Sequence, residues 1–172
     1  MPDDETQHPL SSAQAVIRQV STSEEYECAR LLFQEYASAI EVDLCFQGFS
    51  DELTVLNQMY APPDGCLCVA YVGAKPAGCA ALRKFDADVG ELKRMYVRPE
   101  FRGCGIGKAL ATTILRTAQN IGYSIVRLDT LESMSEARRI YELLGFHPCP
   151  AYYTNPLPGV IYMEKELTGG AE

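Results

Sequence analysis

The sequence predicts an α/β or α+β domain built on a mixed β-sheet. Three observations support this: helical periodicity comes first, strands joined by tight turns follow, and a strand–helix–strand–helix–strand order ends the chain. Hairpins give antiparallel neighbours, whereas a crossover through a helix gives a parallel pair. The 172 residues fit a single domain, with residues 1–13 expected to form a flexible lead-in.

The first elements are one strand and two helices. Residues 15–20 predict a short strand, and Ser21, Thr22 or Ser23 can cap the helix that follows. Apolar residues at helical spacing continue this helix to Ile40. After an irregular link over residues 43–49, a second short helix is predicted over residues 51–60 and ends at a segment with two prolines.

Three strands are predicted next. Residues 66–72 and 77–85 are apolar, and the turn Gly73–Pro76 between them is typical of a hairpin. A second turn over residues 86–88 leads into a strand that ends at Val97, because Arg98-Pro99 stops it.

Two helices and two strands complete the domain. Apolar residues mark one face of a helix over 106–121, and Gly122 is at its C-cap position. Residues 125–130 predict a strand, and Ser133 or Ser135 opens a helix that Gly145 closes. Residues 160–167 alternate like a final strand.

The net charge of −8 argues against a nucleic-acid partner, which needs a basic surface. The charge would suit a cationic substrate such as an amine, or it serves only solubility. No apolar run is long enough to cross a membrane, and the acidic start is unlike a signal peptide, so we expect a cytoplasmic protein. The seven cysteines lack paired metal spacing, so we expect reduced thiols and no metal, with Cys66 and Cys68 on one face of a strand.

The most informative segment is Arg102–Lys108, in which Gly103, Gly105 and Gly107 lie between a strand and a helix. The first N–H groups of a helix lack partners within it, and glycines let a ligand approach the backbone closely. Strand, glycine-rich turn and helix therefore predict a phosphate site.

Two common phosphate motifs do not fit this segment. The nucleotide P-loop requires Ser or Thr after its lysine, but Ala109 follows Lys108, and Arg102 stands where its first glycine belongs. The dinucleotide motif requires G-x-G-x-x-G in the first strand–helix–strand unit, whereas the glycines here are spaced G-x-G-x-G after several strands.

A third motif fits. Arg102, Gly105 and Gly107 match the pattern Arg/Gln-x-x-Gly-x-Gly/Ala, and the chain resembles the GNAT N-acetyltransferases, whose acyl-coenzyme A loop has this pattern. Residues 91–108 look like that family's fourth strand and third helix entry, and residues 137–146 look like its last helix and turn. The resemblance implies the GNAT acyl-CoA N-acyltransferase fold, with a mostly antiparallel sheet flanked by helices.

The resemblance also implies which residues bind acetyl-CoA. The coenzyme pyrophosphate would lie on backbone N–H groups of the loop, and its pantetheine arm would lie beside the fourth strand like an added strand. Relatives often carry an asparagine before the last helix, and this chain has none there, so Ser133 or Glu132 is the expected substitute. The implied binding residues are Met95, Tyr96, Val97, Arg102, Gly103, Cys104, Gly105, Ile106, Gly107, Lys108, Ser133 and Ala137.

Two catalytic residues follow from the same resemblance. Tyr141 matches the tyrosine that protonates the leaving thiolate in many relatives, although helical spacing would also suit a core aromatic. Glu91 is the candidate base at the start of the fourth strand, where a solvated glutamate is the alternative.

The acceptor site is expected at the loops near the first helices and before the last strand. The candidate contacts are Phe46, Arg83, Tyr152, Tyr153 and Asn155. The resulting hypothesis is an N-acetyltransferase that transfers an acetyl group from acetyl-CoA to a primary amine of a small molecule or peptide by direct attack. We expect this enzyme to have no nucleic-acid or membrane partner, and a homodimer is compatible with the sequence. The alternatives are a non-catalytic coenzyme A-binding module and an acyltransferase that uses a longer acyl group.

Overall fold

A computed structural model describes residues 15–168, which form a seven-stranded sheet with helices on both faces. The strands are β1 (Ala15–Gln19), β2 (Cys66–Val72), β3 (Lys75–Asp86), β4 (Val89–Val97), β5 (Ile125–Leu131), β6 (His147–Pro148) and β7 (Val160–Glu166). The helices are α1 (Ser23–Ala39), α2 (Phe49–Thr54), α3 (Leu56–Met59), α4 (Ile106–Ile121) and α5 (Ser135–Leu143). The expected lead-in, residues 1–13, lies outside the described residues.

The strand order is β1-β2-β3-β4-β5-β7-β6, and the predicted mixed, mostly antiparallel sheet is confirmed. Every neighbouring pair is antiparallel except β4 and β5, which α4 connects as a parallel pair. The hairpin turns predicted before β3 and β4 account for the antiparallel pairs β2–β3 and β3–β4, as expected.

Strand β2 shows why the sheet is covered on both faces. Cys66 and Cys68 belong to the hydrophobic cluster that includes α4 residues, whereas Leu67 and Val69 belong to the cluster that includes α1 residues. Successive side chains of a strand point to opposite faces, so a continuous apolar strand serves two cores. All seven cysteines are free thiols, and the two close ones share a face, as predicted.

Helix α1 begins where its capping residues predict. The Thr22 side chain accepts a hydrogen bond from the Glu25 N–H at 3.2 Å, and Glu25 Oε2 accepts one from the Thr22 N–H at 3.0 Å. This reciprocal capping box satisfies two donors at the start of the helix. None of the helices between residues 15 and 168 is long and apolar enough to cross a membrane.

Two local predictions were wrong, and one strand was not predicted. The helix expected over residues 51–60 is two short helices, α2 and α3, that meet at Val55, where φ is −127°. The irregular link over 43–49 contains a 3₁₀ turn at Cys45–Gln47, and α2 already begins at Phe49. The two-residue strand β6 was not predicted, because Pro148 argues against a strand and only the pairing with β7 defines it.

Candidate active site

The site begins where the sheet opens. Strands β4 and β5 pair only from Val89↔Ile125 to Glu91↔Arg127, so Leu92–Val97 of β4 have no partner on β5. A cleft of about 740 Å³, the large cleft, extends from this opening to the start of α4 and is bordered by α1 and α5. Its size is that of a small-molecule or cofactor site.

The glycine-rich loop forms one end of the large cleft. Gly105 has a φ of +79° and is the N-cap of α4, a left-handed conformation that glycine adopts without steric cost. The first backbone bond into α4 comes from the Ala109 N–H to the Gly105 carbonyl. Among the described residues, the six N–H groups from Gly103 to Lys108 have no acceptor, so they are free to bind an anion.

Most of the residues predicted to bind the coenzyme line the large cleft. They are Met95, Tyr96, Val97, Arg102, Gly103, Gly105, Ile106, Gly107, Lys108, Ser133 and Ala137. Cys104 is the exception, because its half-buried side chain packs against the core. Sequence and structure therefore bring these residues together, while their roles in binding stay a prediction.

The sequence missed other parts of the lining. Tyr36 and Ile40 border the cleft, although their helical spacing on α1 marked them as ordinary core residues. Arg139 of α5 adds a third cation to Arg102 and Lys108, and no sequence pattern distinguished it from a surface arginine. The Arg102 guanidinium turns back, since its Nε donates to the Val97 carbonyl at 2.9 Å.

A second, smaller cavity of about 40 Å³, the small cavity, adjoins the large cleft. The two share the lining residues Tyr36, Ile40, Met95, Leu131 and Met134. The small cavity therefore lies at the end of the cleft away from the glycine-rich loop.

Tyr141, the predicted acid, lines the small cavity from α5. It is 5% exposed. Burial, together with the nearby Tyr36 and Asp129, raises the pKa of Tyr141 well above its usual value. The phenol therefore stays protonated and can donate a hydrogen bond in the cavity.

Strand β4 carries a bulge beside this cavity. Its register with β3 slips by one residue between Lys93 and Tyr96, and Arg94 has a φ of +59°, which is unusual for a residue with a side chain. The Arg94 guanidinium donates to both carboxylate oxygens of Glu52 at 3.1 and 2.7 Å, and Tyr60 donates to Glu52 at 2.6 Å. This buried ion pair holds the bulge in place.

Glu91, the predicted base, is 1% exposed and lines neither the large cleft nor the small cavity. Its Oε1 accepts a hydrogen bond from Arg83 Nε at 2.8 Å, and its Oε2 accepts one from the Tyr152 hydroxyl at 2.7 Å. Two predicted acceptor residues, Arg83 and Tyr152, are thus brought to Glu91.

The other predicted acceptor residues meet at Asp129. Tyr153 donates a short hydrogen bond to Asp129, and Asn155 Nδ2 donates to Asp129 Oδ2 at 2.9 Å. Gln47 joins this group, because its Nε2 donates to the Tyr153 hydroxyl at 2.9 Å and its Oε1 accepts from Lys93 Nζ at 3.3 Å. The sequence missed Lys93, Asp129 and Gln47, all of which line the small cavity. The Phe46 side chain lies outside the described part of the structure.

The mixed sheet flanked by helices places this chain in the fold class of the solved acetyltransferases. A solved PaiA N-acetyltransferase of Thermoplasma acidophilum, in complex with coenzyme A, has this fold. It superposes with a TM-score of 0.68 at 21% identity, over 89% of this chain and 99% of that one.

The sequence comparisons define the family. The chain belongs to the acetyltransferase (GNAT) family, whose model matches residues 24–146. An uncharacterized N-acetyltransferase of Schizosaccharomyces pombe is 38% identical over 154 residues, which are 88% of this chain and 94% of that protein. The N-acetylaspartate synthetase of Rattus norvegicus is 37% identical over 111 residues, which are 63% of this chain and 37% of that protein. The chain is thus an acyltransferase of the GNAT family.

Proposed function

We propose that this protein transfers an acetyl group from acetyl-CoA to a primary amine by direct attack. The single observation that carries the proposal is the row of free N–H groups from Gly103 to Lys108 at one end of the large cleft, whose other end adjoins the small cavity that Tyr141 lines. Two linked phosphates need several donors at one place, and this row supplies them.

The donor would occupy the large cleft. The pyrophosphate lies on the loop, with Lys108 and Arg139 as nearby cations, and Ser133 and Ala137 border the same cleft. The pantetheine arm runs along Met95, Tyr96 and Val97, where β4 has backbone groups that β5 leaves unpaired. This path leads the thioester to the small cavity.

The reaction joins the acceptor nitrogen to the acetyl carbon and breaks the bond from that carbon to sulfur. The amine must lose a proton to attack, and the sulfur leaves with its bonding electron pair and takes up a proton. We assign the second proton to Tyr141, whose raised pKa keeps it protonated. A backbone N–H at the β4 bulge, near Arg94 and Met95, is the proposed donor to the oxyanion.

Glu91 remains the proposed acceptor of the amine's proton. Since neither Glu91 nor Tyr152, whose hydroxyl lies 2.7 Å from Glu91 Oε2, lines either cavity, a water chain would have to carry the proton from the amine to this pair. Arg83 keeps Glu91 anchored through a 2.8 Å ion pair.

The test is a screen of primary amines with acetyl-CoA in which release of the free coenzyme thiol is measured. Protein without acceptor must serve as the blank, because Cys45 is an exposed thiol that would react with the reagent. Thiol release that depends on an amine supports the proposal. If no amine releases thiol while acetyl-CoA still raises the melting temperature, the protein is a non-catalytic coenzyme A-binding module instead. Running the screen with longer acyl-CoAs tests the choice of acyl group.

A further inference from the structure

The starting point is a buried cation without a carboxylate partner. Four charged residues between positions 15 and 168 are buried: Glu52, Glu91, Lys93 and Arg94. Glu52 pairs with Arg94, and Glu91 pairs with Arg83. Lys93 is 6% exposed and has no ion pair within the described residues. A buried unpaired ammonium is costly, so its presence requires an explanation.

Folding alone does not explain Lys93. Within residues 15–168 its one hydrogen bond is the 3.3 Å contact with the neutral Gln47 side chain, which leaves the remaining ammonium donors without a partner there. Burial lowers the pKa of Lys93, and the neighbouring Arg94 and Arg83 act in the same direction, while Glu91 and Asp129 oppose them. A small anion in the cavity would supply the missing partner.

The opposite charge lies in the same cavity. Asp129 also lines it, and the hydrogen bonds from Tyr153 and Asn155 both go to Oδ2. Oδ1 of Asp129 accepts no hydrogen bond within residues 15–168, and no buried polar atom there lacks a partner, so Oδ1 is accessible. Gln47 and Tyr153 link Lys93 to Asp129 through a chain of hydrogen bonds, so the cation and the anion belong to one network.

We propose that the small cavity binds an acceptor amine that also carries a carboxylate, such as an amino acid, with its carboxylate on Lys93 and its ammonium on Asp129. This inference rests on the proposed function and narrows its acceptor class. A polyamine or a simple alkylamine would place its cations near Asp129 but leave Lys93 without a counter-ion.

The first test compares matched acceptors with the wild-type protein. Each amino acid in a panel is paired with the amine that lacks only its carboxylate and with its carboxamide, and thiol release is measured with acetyl-CoA. Amino acids should have kcat/KM values at least tenfold above those of both analogues, since a charge-assisted hydrogen bond is lost in each. If the analogues react equally well or better, the acceptor inference is wrong while the proposed function stands.

The second test uses Lys93→Met, which removes the charge and keeps a long unbranched side chain. KM for the amino acid should rise at least tenfold, with KM for acetyl-CoA unchanged and the decarboxylated amine used no worse than before. Lys84→Met, at an exposed position of β3, is the matched control and should change neither KM. If Lys93→Met lowers kcat alone at every acceptor, Lys93 is not a carboxylate site and the inference falls.

Should Lys93→Met fail to fold, the wild-type panel still decides. Absence of thiol release with every acceptor, with acetyl-CoA still raising the melting temperature, would overturn the inference and the proposed function together.

Discussion

The large cleft and the small cavity adjoin each other, but they are built from different parts of the chain. The large cleft presents backbone N–H groups from one continuous loop, Gly103–Lys108, and unpaired backbone of one strand. The small cavity presents side chains from α1, β4, β5, α5 and the loops between these elements, held by hydrogen bonds between residues as far apart as Gln47 and Tyr153. A backbone site depends on local conformation, whereas a side-chain site depends on the whole fold.

The largest expected effect tests the side-chain site. Tyr141→Phe should lower kcat by about 100- to 10,000-fold, the range of a lost general acid, because it removes the proposed proton donor from the small cavity. Coenzyme affinity, measured by calorimetry, should not change. Tyr123→Phe is the control, since Tyr123 is equally buried but donates to the Asp64 carbonyl outside both cavities. An unchanged kcat would remove Tyr141 from the mechanism.

The next largest effect is the loss of stability expected when the ion pair between Glu52 and Arg94 is broken. Glu52→Gln should lower the free energy of unfolding by about 3–5 kcal/mol, because it leaves the buried Arg94 guanidinium without its counter-ion. Denaturant unfolding measures this loss.

The same pair gives a pH dependence. Burial raises the pKa of Glu52, but the bonds from Arg94 and Tyr60 outweigh it and leave the pKa lowered. Because the pKa of Glu52 is lower in the folded than in the unfolded protein, the ionised carboxylate stabilises the fold at pH values above the unfolded-state pKa of about 4.5. This stabilisation is lost as the pH falls below about 4.5 and through the folded-state pKa. A wild-type and a variant protein with the same acid unfolding curve would contradict this assignment.

The backbone site is tested by Gly105→Asp. A carboxylate beside the phosphates should weaken coenzyme binding by about 100-fold or more, because like charges about 4 Å apart repel by about 4 kcal/mol at an effective dielectric constant of 20. Gly73→Asp is the control, since Gly73 also has a left-handed φ of +61° but lies in the turn between β2 and β3. Equal coenzyme affinity in both variants would mean that the loop is not the phosphate site.

The smallest expected effect concerns the helix that borders both regions. Thr22→Ala removes the capping box of α1 and should cost about 1 kcal/mol of stability, with coenzyme affinity and kcat unchanged. The melting temperature measures the loss of stability, and steady-state kinetics measure the coenzyme affinity and kcat. If coenzyme affinity falls as well, the start of α1 is coupled to the cleft through Tyr36 and Ile40, and the two regions are less independent than described.

The difference between a backbone site and a side-chain site also determines how much of each could be predicted from the sequence. Gly105 needs a left-handed backbone and Gly122 ends α4 in the same way, and both requirements are visible in the residue type. The residue types of Lys93 and Asp129 give no such signal, since each is one of several polar residues in its strand. Only the packing of distant loops brings them to one cavity. Likewise, the bulge at Arg94 shows only in the register with β3, because arginine gives no local sign of a positive φ.

The short pairing between β4 and β5 has a mechanical consequence. Three residue pairs, ending at Glu91 and Arg127, are the backbone connection between the sub-sheet of β1–β4 and the sub-sheet of β5–β7. Such a narrow junction is a natural hinge, and a ligand lying in the gap would brace the two sub-sheets against each other. Donor binding would then stiffen the protein most at Leu92–Val97, so the acceptor would meet a small cavity whose walls the donor has already made rigid.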